Sequence, residues 1–74
     1  MKKRSLSISG HPTSISLEEP FWEGAKALAA ERGMSLAALV ASIDATRDPE
    51  TNLSSAIRLA VLAYYRDRPQ GAGS

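Results

Sequence analysis

Two short segments near the start of the chain alternate small polar and apolar residues with a period of two. The segments are SLSIS, from Ser5 to Ser9, and TSISL, from Thr13 to Leu17. This period is typical of β-strands with one buried face, and the GHP between them favours a turn or a break in pairing. Because strands this short are marginally stable even as a hairpin, we expect one of them to pair with its copy in a second chain, with a local hairpin as the alternative.

A helix signature follows the second strand directly. Ser16 and Glu19 have the spacing of a capping box, and Pro20 suits the first turn of a helix. Apolar residues then recur at helical spacing until Gly33, which permits a left-handed cap. Gly24 inside this helix costs about 1 kcal/mol relative to alanine, which indicates close packing against another helix.

Two further helices are predicted after the glycine. Ser35 is placed to cap the second helix, which ends by about Thr46, and Asn52 or Ser54 is placed to cap a third at about residues 53–66. The third helix is apolar nearly all round. We therefore expect it to pack both on its own domain and on a partner chain.

The length of 74 residues allows one domain at most. The chain has no cysteine, and its single histidine, His11, cannot hold a metal alone, so oligomerisation is the ordinary remaining source of stability. We expect a basic N-terminal arm at 1–4, one folded domain at 5–66 and a disordered tail at 67–74.

Charge is uneven along the chain although the formal total is only +1. Residues 1–17 contain Lys2, Lys3 and Arg4 and no acidic residue, whereas residues 18–50 contain three basic and seven acidic residues. A basic arm of this kind is suited to contact a polyanion, and a solvated terminus is the alternative interpretation. No segment is typical of a membrane span or a secretory leader, so we expect a cytoplasmic protein without membrane contact.

Catalysis is not indicated by the sequence. His11 lies in the strand region, and no acidic residue precedes Glu18, so no serine, histidine and acid arrangement is evident. We predict a protein that is not an enzyme, with no catalytic residue, no metal and no cofactor.

The order of strand, helix, glycine turn and helix resembles the ribbon-helix-helix family of the Arc, MetJ and CopG repressors. The stretch TSISLEEPFWEGAKALAAERGMSLAALV is similar to that module, with Leu17, Gly33 and Ser35 at the family's spacing. KRSLSISGHPTSISLEEPFW and NLSSAIRLAVLAYYR are similar to a bacterial subfamily with an extra helix, and the resemblance covers roughly residues 3–66. It implies a mainly α fold with a short β-ribbon, built as an intertwined homodimer with a third C-terminal helix.

The resemblance also implies a function: sequence-specific binding of double-stranded DNA by a homodimeric transcriptional regulator, a repressor, whose β-ribbon enters the major groove. Alternation leaves Pro12, Ser14 and Ser16 facing outward, and a serine hydroxyl both donates and accepts. The start of the second helix offers unpaired N–H groups to phosphate, as it does in the family. The expected DNA-binding residues are Lys2, Lys3, Arg4, Pro12, Thr13, Ser14, Ser16, Gly33, Met34 and Ser35. The expected dimer core is Ile15, Leu17, Phe21, Trp22, Leu28, Leu39, Val40, Ile43, Ile57 and Val61.

One outward position departs from the family's pattern. Pro12 stands where a long basic or polar side chain is common in the family. Either specificity depends on the basic arm, His11 or Thr13, or the outer strand covers part of the ribbon. Loss of DNA binding is a further interpretation. The alternative function is an antitoxin-like or adaptor dimer whose apolar third helix engages a second protein such as a toxin.

Overall fold

The computed structural model describes residues 1–67, so residues 68–74 of the tail expected at 67–74 lie outside the described residues. A two-stranded sheet is followed by three helices, which confirms a mainly α fold with a short β-ribbon and an additional third helix. The elements are β1 (Lys2–Ile8), β2 (His11–Leu17), α1 (Glu19–Glu31), α2 (Leu36–Thr46) and α3 (Leu53–Asp67).

The two strands form an antiparallel hairpin within one chain, the alternative that the sequence left open. Its turn consists of Ser9 and Gly10, with φ angles of 52° and 84°. Positive φ at both positions is the conformation of the two-residue turns that match the twist of a hairpin. Because pairing extends to Lys2 opposite Leu17, the basic residues belong to β1 rather than to a separate arm.

Helix α1 begins later than the capping-box prediction requires. Its N-cap is Glu18, which makes no side-chain capping bond, although its carbonyl accepts hydrogen bonds from the N–H groups of Phe21 and Trp22. The prediction that Ser16 caps this helix is wrong, because β2 continues through Leu17 and keeps Ser16 in extended conformation.

The other helix boundaries agree with the sequence. Gly33 has a φ of 67°, and the Met34 N–H donates to the carbonyl of Ala29, as in a Schellman motif. The Ser35 hydroxyl accepts from the Ala38 N–H at 3.0 Å and caps α2. Of the two caps considered for α3, Asn52 is the one used, since its side-chain oxygen accepts from the N–H of Ser55 at 2.8 Å.

The core forms where the inner face of the hairpin meets all three helices. Eight of the ten residues expected in a dimer core are buried within a single chain, and Phe21 and Ile43 are partly buried against them. The buried eight are Ile15, Leu17, Trp22, Leu28, Leu39, Val40, Ile57 and Val61. These eight side chains are thus buried within the fold of one chain, and their role in a dimer core stays a prediction.

Gly24 explains how closely α1 and α3 approach. A Cβ atom added at Gly24 would overlap the Val61 side chain and would lie 3.1 Å from the ring of Tyr65. The predicted close packing of this glycine against another helix is confirmed.

Candidate nucleic-acid interface

The outer face of the hairpin carries mostly small hydroxyl side chains. Buried Ile8, Ile15 and Leu17 define the inner face, and cross-strand partners share a face of the sheet. The outer face therefore consists of three cross-strand pairs: Lys3 with Ser16, Ser5 with Ser14, and Ser7 with Pro12. All six side chains are exposed except Ser16, which is half-buried.

The four serines of this face are available to a ligand. Within residues 1–67, none of their hydroxyls makes a hydrogen bond, so each is free to donate and to accept. The structure thus brings together Lys3, Pro12, Ser14 and Ser16 from the predicted DNA-binding set.

Ser5 and Ser7 belong to the same face, and the sequence analysis did not include them among the site residues. The signal that identifies them is the alternation in SLSIS, which is the same as that in TSISL. They were missed because β1 was not assigned a partner within its own chain.

The basic residues of β1 divide between the two faces of the sheet. Lys3 lies on the outer face, whereas Lys2 and Arg4 alternate onto the inner side. The Arg4 guanidinium carbon is 5.4 Å from the centroid of the Trp22 ring, and its Nε is buried without a hydrogen-bond partner within the described residues. Arg4 is therefore placed to pack on the domain rather than to face outward.

Trp22 fixes the position of β1 on the helices. Its ring is fully buried, and its Nε1 donates a 2.8 Å hydrogen bond to the carbonyl of Lys2. A tryptophan that buries its ring and satisfies its N–H on a strand backbone holds that strand in one position.

A second contact ties the junction of β2 and α1 to α3. The Arg58 Nε donates to the Glu18 carboxylate at 2.9 Å, and the Arg58 guanidinium carbon lies 6.0 Å from the centroid of the Phe21 ring. The hydrogen bond from Arg58 lowers the pKa of Glu18 below its usual value of 4.5.

The start of α2 is the second place where an anion would find donors. The Ala38 N–H is satisfied by Ser35, whereas within the described residues the N–H groups of Leu36 and Ala37 have no acceptor. Met34 is partly buried against the core, and Gly33 makes the turn. Gly33, Met34 and Ser35 lie on the connection between α1 and α2, separate in the chain from the hairpin.

Thr13 does not share the outer face with the serines. It alternates onto the inner side, is half-buried, and its hydroxyl donates to the carbonyl of His11 at 3.4 Å. A direct contact of Thr13 with DNA stays a prediction, and its present contact is local.

The described residues also hold no group of three or more histidine, cysteine, aspartate or glutamate side chains placed to bind a metal ion. Across residues 1–67, no helix has both the length and the apolar character to cross a membrane.

Comparison with known proteins gives one match. The family model described as a ribbon-helix-helix domain matches residues 1–65 of the chain. No curated protein and no solved structure matches it.

Proposed function

The chain belongs to the ribbon-helix-helix family of DNA-binding regulators, and on this basis we propose that it is a homodimeric transcriptional repressor that binds double-stranded DNA sequence-specifically. The observation that carries the proposal is the outer face of the hairpin, where Lys3, three exposed serines and the half-buried Ser16 share one surface, and where none of the four serine hydroxyls has a hydrogen-bond partner within the described residues. A repressor acts by occupying its site, so the activity requires no catalytic residue and no cofactor. As a regulator of a bacterial chromosome, the protein works in the cytoplasm.

The outward residues of β2 recognise the bases. Ser14 and Ser16 each donate and accept, so they form hydrogen bonds with base edges in the major groove. Pro12 has no polar group, and its ring is suited to apolar contact with a thymine methyl group. The three small side chains of one chain discriminate only weakly between base pairs. A symmetric dimer doubles the length of the recognised sequence, which is then an inverted repeat.

Phosphate contacts at the start of α2 fix the orientation of the protein on the duplex. The unpaired N–H groups of Leu36 and Ala37 and the positive end of the helix dipole favour an anion there. Such contacts carry no sequence information, but they set the register from which Ser14 and Ser16 meet the bases.

Selection of bound duplexes from a random pool at physiological salt tests this function. We expect an inverted repeat, and we expect purified protein to bind it more tightly than a scrambled duplex of the same composition. Replacing both Ser14 and Ser16 by alanine removes most of this preference while binding to the scrambled duplex persists. Full preference in the double variant, or no enrichment of any sequence, would contradict the proposal.

Exposed apolar residues on α3 favour a second candidate, an antitoxin-like or adaptor dimer that binds another protein. Leu59 is 60% exposed and Leu62 is 56% exposed, and such residues on one helix are typical of an interaction surface. Leu59→Glu with Leu62→Glu, followed by light scattering, separates the candidates: loss of the dimer assigns the surface to self-association, and a retained dimer that binds DNA leaves it free for a second protein. Truncation before Thr51 is a poorer test, because it also removes buried Ile57 and Val61.

A further inference from the structure

The backbone of β2 has one edge that β1 does not occupy. The two-residue turn is closed by a hydrogen-bonded pair, Ile8 with His11, and hydrogen-bonded and non-hydrogen-bonded pairs alternate from there along an antiparallel ladder. Pro12, Ser14 and Ser16 are therefore in non-hydrogen-bonded pairs, with their backbone groups directed away from β1. Pro12 lacks an N–H, which costs the hairpin nothing at such a position but leaves the free edge of β2 without one donor. A partner strand on this edge therefore pairs mainly through the backbone of Ser14 and Ser16.

The other edge of β2 is held by β1 through contacts of its own. The Lys2 carbonyl accepts from Trp22, Arg4 covers the same ring, and Ile8 is only 5% exposed in the core. A second copy that displaced β1 would break these contacts. The free edge of β2 is the place where a partner strand adds without that loss, because an unpaired strand edge readily pairs with another strand.

From this arrangement we propose that the DNA-contacting sheet of the dimer has four strands, with β2 of each chain at the centre and β1 of each chain outside. We further propose that Lys3, Ser5 and Ser7 of β1 contact phosphates on the two walls of the major groove. The inference rests on the proposed function, and it assigns different roles to the two strands: β2 meets the bases and β1 positions the sheet.

The dimensions of a sheet and of the groove support this division. Neighbouring strands lie about 4.8 Å apart, so in a four-stranded sheet each β1 lies about 7 Å from the central line. The major groove is about 12 Å wide, which places its walls about 6 Å from the same line. The two central strands fit between the walls, and each β1 lies over a sugar-phosphate backbone.

The side chains of β1 match that position. Among the three basic residues of β1, only Lys3 faces outward, and it lies on the same side as Ser5 and Ser7. The ammonium group of Lys3 and the hydroxyls of Ser5 and Ser7 can each donate a hydrogen bond to a phosphate oxygen. Lys2, next to Lys3, is exposed on the opposite side of the sheet and in this arrangement does not contact DNA, contrary to the expectation from the sequence, so it provides a control with the same charge.

The first experiment compares Lys3→Ala with Lys2→Ala in the full chain, on a selected duplex and on a scrambled one. We expect Lys3→Ala to weaken binding to both duplexes by a similar factor. In a dimer it removes two phosphate contacts, which lowers the slope of log affinity against log salt by about 1.8. We expect Lys2→Ala to leave the slope unchanged, because its side chain faces away and its carbonyl bond to Trp22 does not depend on it. An unchanged slope in Lys3→Ala, or equal losses in the two variants, overturns the role of β1.

The second experiment tests strand order without DNA. The chain has no cysteine, so Ser14→Cys and Ser5→Cys each introduce a single cysteine, one on each strand at facing positions of the hairpin. A short bismaleimide joins the two cysteines of a dimer only where they lie close together. We expect Ser14→Cys to cross-link into a covalent dimer and Ser5→Cys to stay monomeric on a denaturing gel. Cross-linking of Ser5→Cys instead, or of neither, overturns the four-stranded order.

The two experiments also separate this inference from the proposed function. If the unmodified protein binds no duplex, the function fails, and the phosphate contacts fail with it. If the unmodified protein binds DNA but the cross-links or the Lys3→Ala slope contradict the expectation, only the four-stranded sheet fails.

Discussion

The Nε1 of Trp22 donates a 2.8 Å hydrogen bond to the backbone oxygen of Lys2, 20 positions earlier in the chain. The ring of Trp22 has no exposed surface, so this bond anchors β1 to the centre of the core. The exposed serine face of the hairpin is therefore oriented by a residue that takes no part in that face.

Replacing Trp22 by phenylalanine should separate this anchoring bond from the burial of the ring. Phenylalanine keeps most of the apolar contact but cannot donate to Lys2, and it leaves a space where the indole was. We expect a loss of about 1–3 kcal/mol in the free energy of unfolding, measured with urea. Faster amide exchange in β1 than in α1 would follow if the strand is loosened selectively. A uniform change in exchange across both elements would contradict the anchoring role.

Arg4→Met tests whether Arg4 packs on the domain rather than contacting DNA. Methionine keeps a long side chain over Trp22 and removes the buried Nε that has no partner within the described residues. The lost cation–π contact, about 0.5–2 kcal/mol, is offset by relief of an unpaired buried donor, about 1–3 kcal/mol. We expect a change in unfolding free energy of less than about 1 kcal/mol and an unchanged salt slope for DNA binding. A lower slope would instead support Arg4 as a phosphate contact.

The alternation of the sequence was sufficient to predict which side chains of β2 share a face. It predicted an inner Ile15 and Leu17 and an outer Ser14 and Ser16, because side-chain direction in a strand depends only on the parity of the position. The same rule places Arg4 inside, yet the run of basic residues was interpreted as an arm on the basis of charge alone.

Strand pairing was harder to predict than strand faces. Short strands are marginal in isolation, and that argument favoured a partner strand from a second chain. It did not include Trp22, whose bond to Lys2 stabilises β1 from a distant part of the sequence. The capping-box error has a related cause: the spacing of Ser16 and Glu19 is local, whereas the end of β2 is fixed by its pairing with Lys2 and Lys3.

Gly24→Ala brings two opposing effects into one measurement. Alanine favours the helix by about 1 kcal/mol, but its Cβ overlaps the branched side chain of Val61 on α3. Overpacking costs about 1–3 kcal/mol, so we expect the variant to be destabilised in urea unfolding.

A double variant supplies the control for this overlap. Val61→Ala alone leaves a cavity, but together with Gly24→Ala it makes room for the added methyl group. We expect the double variant to lose less stability than the sum of the two single losses. Additive losses would indicate that the added methyl group does not meet Val61.

Glu18 should make stability depend on pH through its hydrogen bond with Arg58. Because Arg58 lowers the folded-state pKa of Glu18 below its usual value of 4.5, the carboxylate contributes stability that is fully present above that value. This contribution is lost as the pH falls from about 4.5 through the lower folded pKa. We expect Glu18→Gln to be less stable than the unmodified protein at pH 7 and the difference to shrink in this acidic range, measured by urea unfolding at a series of pH values.

Glu50→Gln is the control, because it removes one negative charge from the connection between α2 and α3, away from Arg58. Its difference in stability from the unmodified protein should not shrink in the same way as the pH falls. A constant difference between Glu18→Gln and the unmodified protein down to pH 3 would mean that the bond to Arg58 does not stabilise the fold.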